Sequence, residues 1–133
     1  MEHELLTGRI IGCAMRVHRT LGPGFLESVY QNALVWELRQ AQLTVECHRP
    51  LTVRYRGLDV GIFVPDVIVD GVVLIEIKAV RALVPAHEAQ VVNYLTATGV
   101  DVGLLLNFGS ARMQFRRKSR SYMPRCAGQE ERF

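Results

Sequence analysis

The chain has few cysteines, and those few are scattered. Three occur among its 133 residues, Cys13, Cys47 and Cys126, and their odd number and wide spacing exclude a disulfide framework. A four-cysteine zinc or iron–sulfur site is excluded as well, and the four histidines stand at no metal-ligand spacing from the cysteines. Unpaired cysteines are typical of a reducing compartment, so we expect a cytoplasmic protein.

Long hydrophobic runs are also missing. No apolar stretch approaches the roughly 20 residues that a membrane-spanning helix needs, and the acidic start Met1-Glu2-His3-Glu4 is unlike a secretory signal. We therefore expect no membrane partner. Hydrophobic residues make up 49% and charged residues 22% of the sequence, which is typical of a globular protein, and the length predicts one domain.

Lysine is almost absent, because the 16 cationic residues comprise 14 arginines and only two lysines, Lys78 and Lys118. Lys78 lies with Glu76 in residues 72–80, a run that is otherwise wholly apolar and predicts a strand buried on both faces. Burial of a carboxylate and an ammonium is costly unless they pair or bind an ion. Since arginine cannot replace lysine in proton chemistry, the two charges predict a functional site.

Asp66 lies before a turn signal, Asp-Gly at 70–71, which predicts a hairpin leading into this strand. Side chains alternate between the two faces of a strand, so a two-residue loop would place Asp66 and Glu76 on opposite faces. A three-residue loop that pairs Ile68 with Val72, with the turn glycine left-handed, would bring both carboxylates to one face. A shared site therefore predicts the three-residue loop or another odd shift, such as a bulge.

Apolar periodicity and turn residues predict an α/β chain of the α+β kind, in the order α-α-β-β-β-α-β-β. We expect helices over 3–21, 25–40 and 85–98, and strands over 43–55, 58–69 (bent at Pro65), 72–80, 102–108 and 113–117. An antiparallel meander followed by a helical crossover gives a mixed β-sheet flanked by helices.

Two further motifs carry polar side chains at helical spacing. Gln90 and Tyr94 stand four residues apart on the helix after the charged strand, where they either cover the site or are ordinary polar residues of a surface helix. Glu27 and Tyr30 share one face near a helix start. Glu27 either belongs to the site or stabilises the first helical turn through the helix dipole.

The C-terminal end is basic. Residues 112–133 hold seven cations against two acids, a net charge of +5 in a chain whose total is +3. Such an end suits contact with a phosphate backbone, and the alternative is a solvated tail. We predict a domain over 1–118 and a basic tail over 119–133. The candidate backbone contacts are Arg112, Arg116, Arg117 and Lys118.

Taken in order, these residues resemble the PD-(D/E)xK nuclease superfamily. The matching motifs are Pro65-Asp66 at a strand end, Glu76-x-Lys78 on the next strand and Gln90-x-x-x-Tyr94 on the next helix. The Gln-x-x-x-Tyr part is similar to the RecB-like exonuclease branch, and Gly-x-x-Glu-x-x-Tyr at 24–30 is similar to the small bacterial GxxExxY proteins. The likeness spans residues 5–118 and implies a restriction-endonuclease-like fold.

The resemblance implies a metal-dependent nuclease that hydrolyses phosphodiester bonds in DNA, in preference to RNA. Asp66 and Glu76 would bind Mg²⁺ or Mn²⁺ together with the Ile77 carbonyl, since oxygen ligands suit such hard cations. Glu27 would be an additional ligand, at a place where RecB-like nucleases commonly use histidine.

The resemblance also implies roles around the metal. Lys78 would orient or deprotonate the attacking water and stabilise charge on the phosphorus, while Gln90 and Tyr94 would position the site or the DNA strand. The chain lacks a second nucleic-acid-binding domain, so a homodimer or a helper protein would complete it. The alternatives are a non-catalytic nucleic-acid-binding module that keeps the fold, or an interaction subunit that docks a partner through Trp36 or its apolar helix faces.

Overall fold

The computed structural model describes residues 3–120. The described helices are α1 (Glu4–Leu21), α2 (Glu27–Gln40) and α3 (Pro85–Thr98), and the described strands are β1 (Val45–Cys47), β2 (Leu51–Tyr55), β3 (Leu58–Phe63), β4 (Val67–Val69), β5 (Val73–Lys78), β6 (Val102–Asn107) and β7 (Gln114–Ser119). The predicted α+β class, with a mixed sheet flanked by helices, is confirmed. The predicted tail lies outside the described residues from position 121 onward.

The strand count differs from the prediction, because two predicted strands are each divided in two. The segment 43–55 breaks between β1 and β2, where His48 takes a left-handed φ of 55° just before Pro50. The segment 58–69 breaks between β3 and β4 at Pro65. Proline cannot donate a ladder hydrogen bond, so it ends pairing where it falls inside an apparent strand. The order is therefore α-α-β-β-β-β-β-α-β-β.

Five strands form the main sheet in the order β1-β4-β5-β6-β7, and β2 and β3 form a separate hairpin. Among the described strands, only β5 and β6 pair in parallel, and they are joined by the crossover helix α3. Helices α1 and α2 pack on one face through a core that includes Ile75 and Ile77. The other face packs on α3 through a smaller core that includes Leu74 and Leu105. Among residues 3–120, no helix is long and apolar enough to cross a membrane.

The β4–β5 turn carries the odd register that a shared carboxylate site requires. Val69 pairs with Val73, so the three unpaired residues are 70–72, and the predicted pairing of Ile68 with Val72 is wrong. Asp70 and Gly71 both take left-handed φ values, 52° and 72°, and the Val72 N–H donates to the Val69 carbonyl at 3.1 Å. Such a tight turn fixes two residues, so the extra residue falls after it.

Helix α3 lies very close to the sheet where it crosses β6. The close approach occurs at Gly103, where an added Cβ would lie 2.7 Å from Val91 Cγ1 and 3.3 Å from Leu95 Cδ1. A side chain at this position would collide with the helix, so glycine is required here for packing, with no demand on its backbone angles. The absence of a Cβ thus sets how near α3 sits to the strands that carry the charged residues.

Candidate active site

Three charged side chains lie together where β4 begins and β5 ends. On β5, Ile75 and Ile77 face the core under α1 and α2. Glu76 and Lys78 therefore project from the opposite face, toward α3, because side chains alternate along a strand. Continued by one residue, the β4–β5 register brings Asp66 opposite Glu76. The predicted convergence of the two carboxylates on one face follows from this register.

Asp66 is held in place by hydrogen bonds to two strands. Its Oδ2 accepts the Ile77 N–H at 2.7 Å, and its own carbonyl accepts the His48 N–H at 3.3 Å. The first bond ties the carboxylate to β5 beyond the last strand pair, and the second ties the backbone to the end of β1. Asp66 is therefore positioned by the sheet itself and needs no side-chain partner to be oriented.

Glu76 is the most perturbed group of the site. The pKa of Glu76 is raised to about 8, chiefly by burial and then by the charge of Asp66, with a smaller contribution from Glu27, while a hydrogen bond with the Asp66 backbone and the Lys78 charge oppose the rise. Its Oε2 is buried and, among the described residues, has no hydrogen-bond partner. A buried carboxylate oxygen without a partner is costly, so this atom is set to hold a proton or a cation.

The residues present can hold a divalent cation, but they provide few ligands for it. Within residues 3–120, no three His, Cys, Asp or Glu side chains come together as a metal site. The candidate ligands are thus the carboxylates of Asp66 and Glu76 and the Ile77 carbonyl, and hard cations such as Mg²⁺ complete such sets with water. Glu27 lies near enough to raise the pKa of Glu76, and its role as a ligand stays a prediction.

A narrow cleft under α3 contains the ends of Glu76 and Lys78. The volume of the cleft is about 10 Å³, which is enough for about one water molecule. Gln90 and Tyr94 both reach this cleft, and the Tyr94 ring stacks on Phe63 with centroids 3.7 Å apart. The complete lining is Phe63, Glu76, Lys78, His87, Gln90, Val91, Tyr94 and Leu105.

Phe63 and His87 also line the cleft, and neither was expected from the sequence. His87 stands three residues before Gln90, so helical spacing alone could have found it. Its Nδ1 accepts the Val84 N–H at 3.2 Å, which caps the start of α3. Phe63 belongs to the separate hairpin, and nothing in the local sequence indicates that this ring returns to the helix.

The basic residues predicted to contact nucleic acid lie in different surroundings. Arg116 Nε and Lys118 Nζ pair with Glu88 at 3.3 and 2.6 Å, and the Lys118 hydrogen bond lowers the pKa of Glu88. Arg117 Nε donates to Thr7 Oγ1 at 2.9 Å. Arg112 is exposed in the loop before β7. Their contact with nucleic acid stays a prediction.

Asp66→Asn is expected to leave the fold at least as stable as the wild type while weakening Mn²⁺ binding by about tenfold or more. The amide oxygen can still accept the Ile77 N–H, and loss of the negative charge removes one of the two causes that most raise the pKa of Glu76. Asp66→Ala removes the acceptor, so it should cost about 1–3 kcal/mol. Thermal unfolding in EDTA and titration calorimetry with Mn²⁺ measure both effects. Unfolding of Asp66→Asn to the same extent as Asp66→Ala would show that the Asp66 charge is structural.

Comparison with known proteins identifies the superfamily and supports the fold. A family model of the PD-(D/E)XK nuclease superfamily matches residues 4–118. Among solved structures, the crystal structure of SSO0001 superposes with a TM-score of 0.55 at 18% identity, over 71% of this chain and 50% of that one, so this chain spans half of its length. At that identity the likeness supports the fold alone. No curated protein matches significantly. By the match over 4–118, the chain belongs to the PD-(D/E)XK nuclease superfamily.

Proposed function

We propose that this protein is a metal-dependent nuclease that hydrolyses phosphodiester bonds in DNA, in preference to RNA. The observation that carries the proposal is the buried Glu76 Oε2 without a described partner, opposite Asp66 and beside Lys78. A fold that needed only stability would not keep this oxygen unpaired, because replacement by an apolar residue is often neutral or stabilising. Retention of the group is what a catalytic site requires.

In the proposed mechanism, Asp66, Glu76 and the Ile77 carbonyl would hold Mg²⁺ or Mn²⁺, with Glu27 as an additional ligand. The cation would supply Lewis acidity and charge neutralisation at the scissile phosphate. The Asp66 carboxylate is oriented for this task by its bond to the Ile77 N–H. Glu76, whose pKa is raised to about 8, must release its proton to become a ligand, so metal binding displaces a proton here.

The remaining residues act on water and substrate. The Lys78 ammonium orients the attacking water and stabilises charge that develops on the phosphate oxygens. Gln90 reaches the same cleft from α3 and is proposed to orient the DNA strand. Tyr94, stacked on Phe63, forms an aromatic wall on which the nucleotide next to the scissile bond can rest.

Further assignments belong to the same proposal. Placement in the RecB-like branch and among the bacterial GxxExxY proteins is supported by the Gln90/Tyr94 pair and by Glu27 and Tyr30. We also propose one catalytic domain over 1–118 in a cytoplasmic protein. A second copy of this chain or a helper protein would supply the substrate contacts that a second nucleic-acid-binding domain would otherwise make.

The proposed activity is tested by incubating the protein with single-stranded, duplex and branched DNA, and with matched RNA, in Mg²⁺, Mn²⁺ or EDTA. We expect cleavage of DNA that requires the metal, and a rate about 10³-fold lower from a Lys78→Ala preparation purified in parallel, which controls for contaminating nuclease. Absence of both cleavage and Mn²⁺ binding would contradict the proposal. It would favour the interaction subunit, for which Trp36 is 59% exposed on α2.

A further inference from the structure

A second cavity lies on the α1 side of the molecule, outside the candidate active site. It is an open groove of about 420 Å³ between the C-terminal part of α1 and the loop that joins β6 to β7. This volume lies within the range of ligand-binding clefts. We call it the α1 groove. Its lining residues are Met15, His18, Arg19, Gly22, Pro23, Ala111, Arg112 and Met113.

The α1 groove carries two positive charges and no carboxylate among its lining residues. Arg19 comes from α1 and Arg112 from the facing loop. Within the described part of the chain, neither guanidinium has an ion pair or hydrogen bond, whereas Arg116 and Lys118 share Glu88. Two arginines without a described counter-charge on facing walls attract an anion, and the guanidinium fork suits a phosphate group.

The floor of the α1 groove is apolar. Met15 is 41% exposed, and Met113 and Pro23 lie beside it. Thioether side chains adapt to flat, polarizable surfaces. The groove thus combines two cations, which suit the charged backbone of a single strand, with an apolar surface for sugars or bases, and its lining has no Phe, Tyr or Trp ring for stacking.

The α1 groove is tied to the end of β5 that carries Lys78. The Phe108 N–H donates to the Lys78 carbonyl at 2.9 Å, and Asn107 Oδ1 accepts the Val80 N–H at 3.0 Å. The loop then continues to Ser110, whose carbonyl accepts a hydrogen bond from His18 Nε2 at 2.9 Å. One wall of the groove is therefore anchored to the strand end of the candidate active site.

We propose that the α1 groove holds the phosphodiester backbone of the nucleic-acid strand that flanks the bond being cleaved, with Arg19 and Arg112 on successive phosphates. This inference rests on the proposed nuclease function and extends it, because it names the path of the substrate away from the cleft. It also assigns contact with the nucleic-acid backbone to one residue of α1 and one of the loop before β7. The first of these, Arg19, lies far in sequence from the basic C-terminal end.

The test uses the full chain in EDTA, so that cleavage is blocked, and a fluorescently labelled single-stranded oligonucleotide. Arg19→Ala/Arg112→Ala should weaken binding about tenfold or more at moderate salt. The log–log salt slope should fall by about 1.4, since each single-strand phosphate contact contributes about 0.7. The control matched in charge is Arg9→Ala/Arg16→Ala, which removes two cations of α1 outside the groove and should change the slope little. Both arginines already have partners, since Arg9 donates to the Ala41 carbonyl at 2.6 Å and Arg16 pairs with Glu37 at 3.2 Å, so the folding of this variant is checked first. Arg19→Lys/Arg112→Lys keeps the charges and should restore most of the affinity.

A second readout separates this inference from the proposed function. Metal-dependent hydrolysis of bis(p-nitrophenyl) phosphate, a single phosphodiester with no flanking nucleotides for the groove to hold, should be unchanged in Arg19→Ala/Arg112→Ala. If the wild type hydrolyses this diester but the double variant binds the oligonucleotide like the control, the groove assignment alone is wrong. If the wild type neither binds the oligonucleotide nor hydrolyses the diester, the proposed function fails and the groove assignment with it.

Two further outcomes would also overturn the groove assignment. A change of salt slope in Arg116→Ala/Lys118→Ala alone would place the backbone contact on β7. Binding of inorganic pyrophosphate or a mononucleotide that the double variant abolishes, with oligonucleotide binding unaffected, would make the groove a site for a free phosphate compound. If the alanine variant does not fold, Arg19→Gln/Arg112→Gln gives the same test, because it removes both charges and keeps most of the side-chain volume.

Discussion

Replacing Lys78 by alanine is expected to lower the rate of metal-dependent DNA hydrolysis by about 10³-fold and to leave DNA affinity within a few fold. An ammonium that orients water and stabilises developing charge acts mainly in the transition state, and groups of this kind contribute on the order of 10²–10⁴-fold. The loss corresponds to about 4 kcal/mol of transition-state stabilisation. Single-turnover cleavage and equilibrium binding in EDTA measure the two effects separately.

The chain supplies its own control for this experiment, since Lys118 is its other lysine. Lys118 pairs with Glu88 at 2.6 Å on β7, so Lys118→Ala removes the same side chain without touching the cleft and should keep the cleavage rate. The Lys78 charge also lowers the pKa of Glu76, so metal affinity must be measured in parallel. Full cleavage by a nuclease-free Lys78→Ala preparation would show that the proposed role of Lys78 is wrong.

Glu76→Gln is expected to stabilise the metal-free protein by an amount that grows with pH. In the native state the pKa of Glu76 is raised from 4.5 to about 8. The native carboxyl therefore keeps a proton that the unfolded chain has already lost between these two pH values. The free energy of unfolding of the wild type falls as the pH rises through this window, and the glutamine variant, which does not titrate here, escapes the loss.

The gain in unfolding free energy of Glu76→Gln has an upper limit. Glu88→Gln is a control for which the expected change has the opposite sign. At about 1.36 kcal/mol for each pKa unit, the variant should gain at most about 5 kcal/mol relative to the wild type by pH 8. Lys118 lowers the pKa of Glu88, so Glu88→Gln should instead lose stability above pH 4.5. Denaturant unfolding in EDTA from pH 4 to 9 measures both variants. Equal stability of Glu76→Gln and the wild type at pH 8 would contradict the strained-carboxylate account, and saturating Mn²⁺ should stabilise the wild type and Glu88→Gln but not Glu76→Gln.

The relation between the two carboxylates could be predicted from sequence because it depends only on alternation along a strand. Any odd register brings Asp66 and Glu76 to one face, whatever the turn looks like. The actual pairing of Val69 with Val73 could not be derived, since it depends on where the extra residue falls. The position of the extra residue is determined by the left-handed Asp70-Gly71 pair and by a contact from a distant segment, in which Asp70 Oδ1 accepts the Thr44 N–H at 3.0 Å.

Helix α3 was predictable for local reasons, and the β2–β3 hairpin was not. Pro85 at the first turn and Gly99, with a φ of 81°, mark the helix ends that the structure shows. The hairpin is separate because two prolines interrupt segments whose apolar content reads as continuous strand. Likewise, the four basic residues near the C-terminus gave no sign that Glu88, some 30 residues away, would pair with two of them. Long-range partners are set by the fold and leave no local pattern.

The fit of α3 on Gly103 gives the cleft a fixed depth. With Val91 Cγ1 only 2.7 Å from where a Cβ would stand, the helix rests directly on bare backbone and cannot come closer. We expect one added methyl group to force Val91 away from the sheet, together with the helix that carries Gln90 and Tyr94, while Glu76 stays on β5. The separation between the two halves of the cleft therefore depends on a residue that has no side chain and does not itself line the cleft.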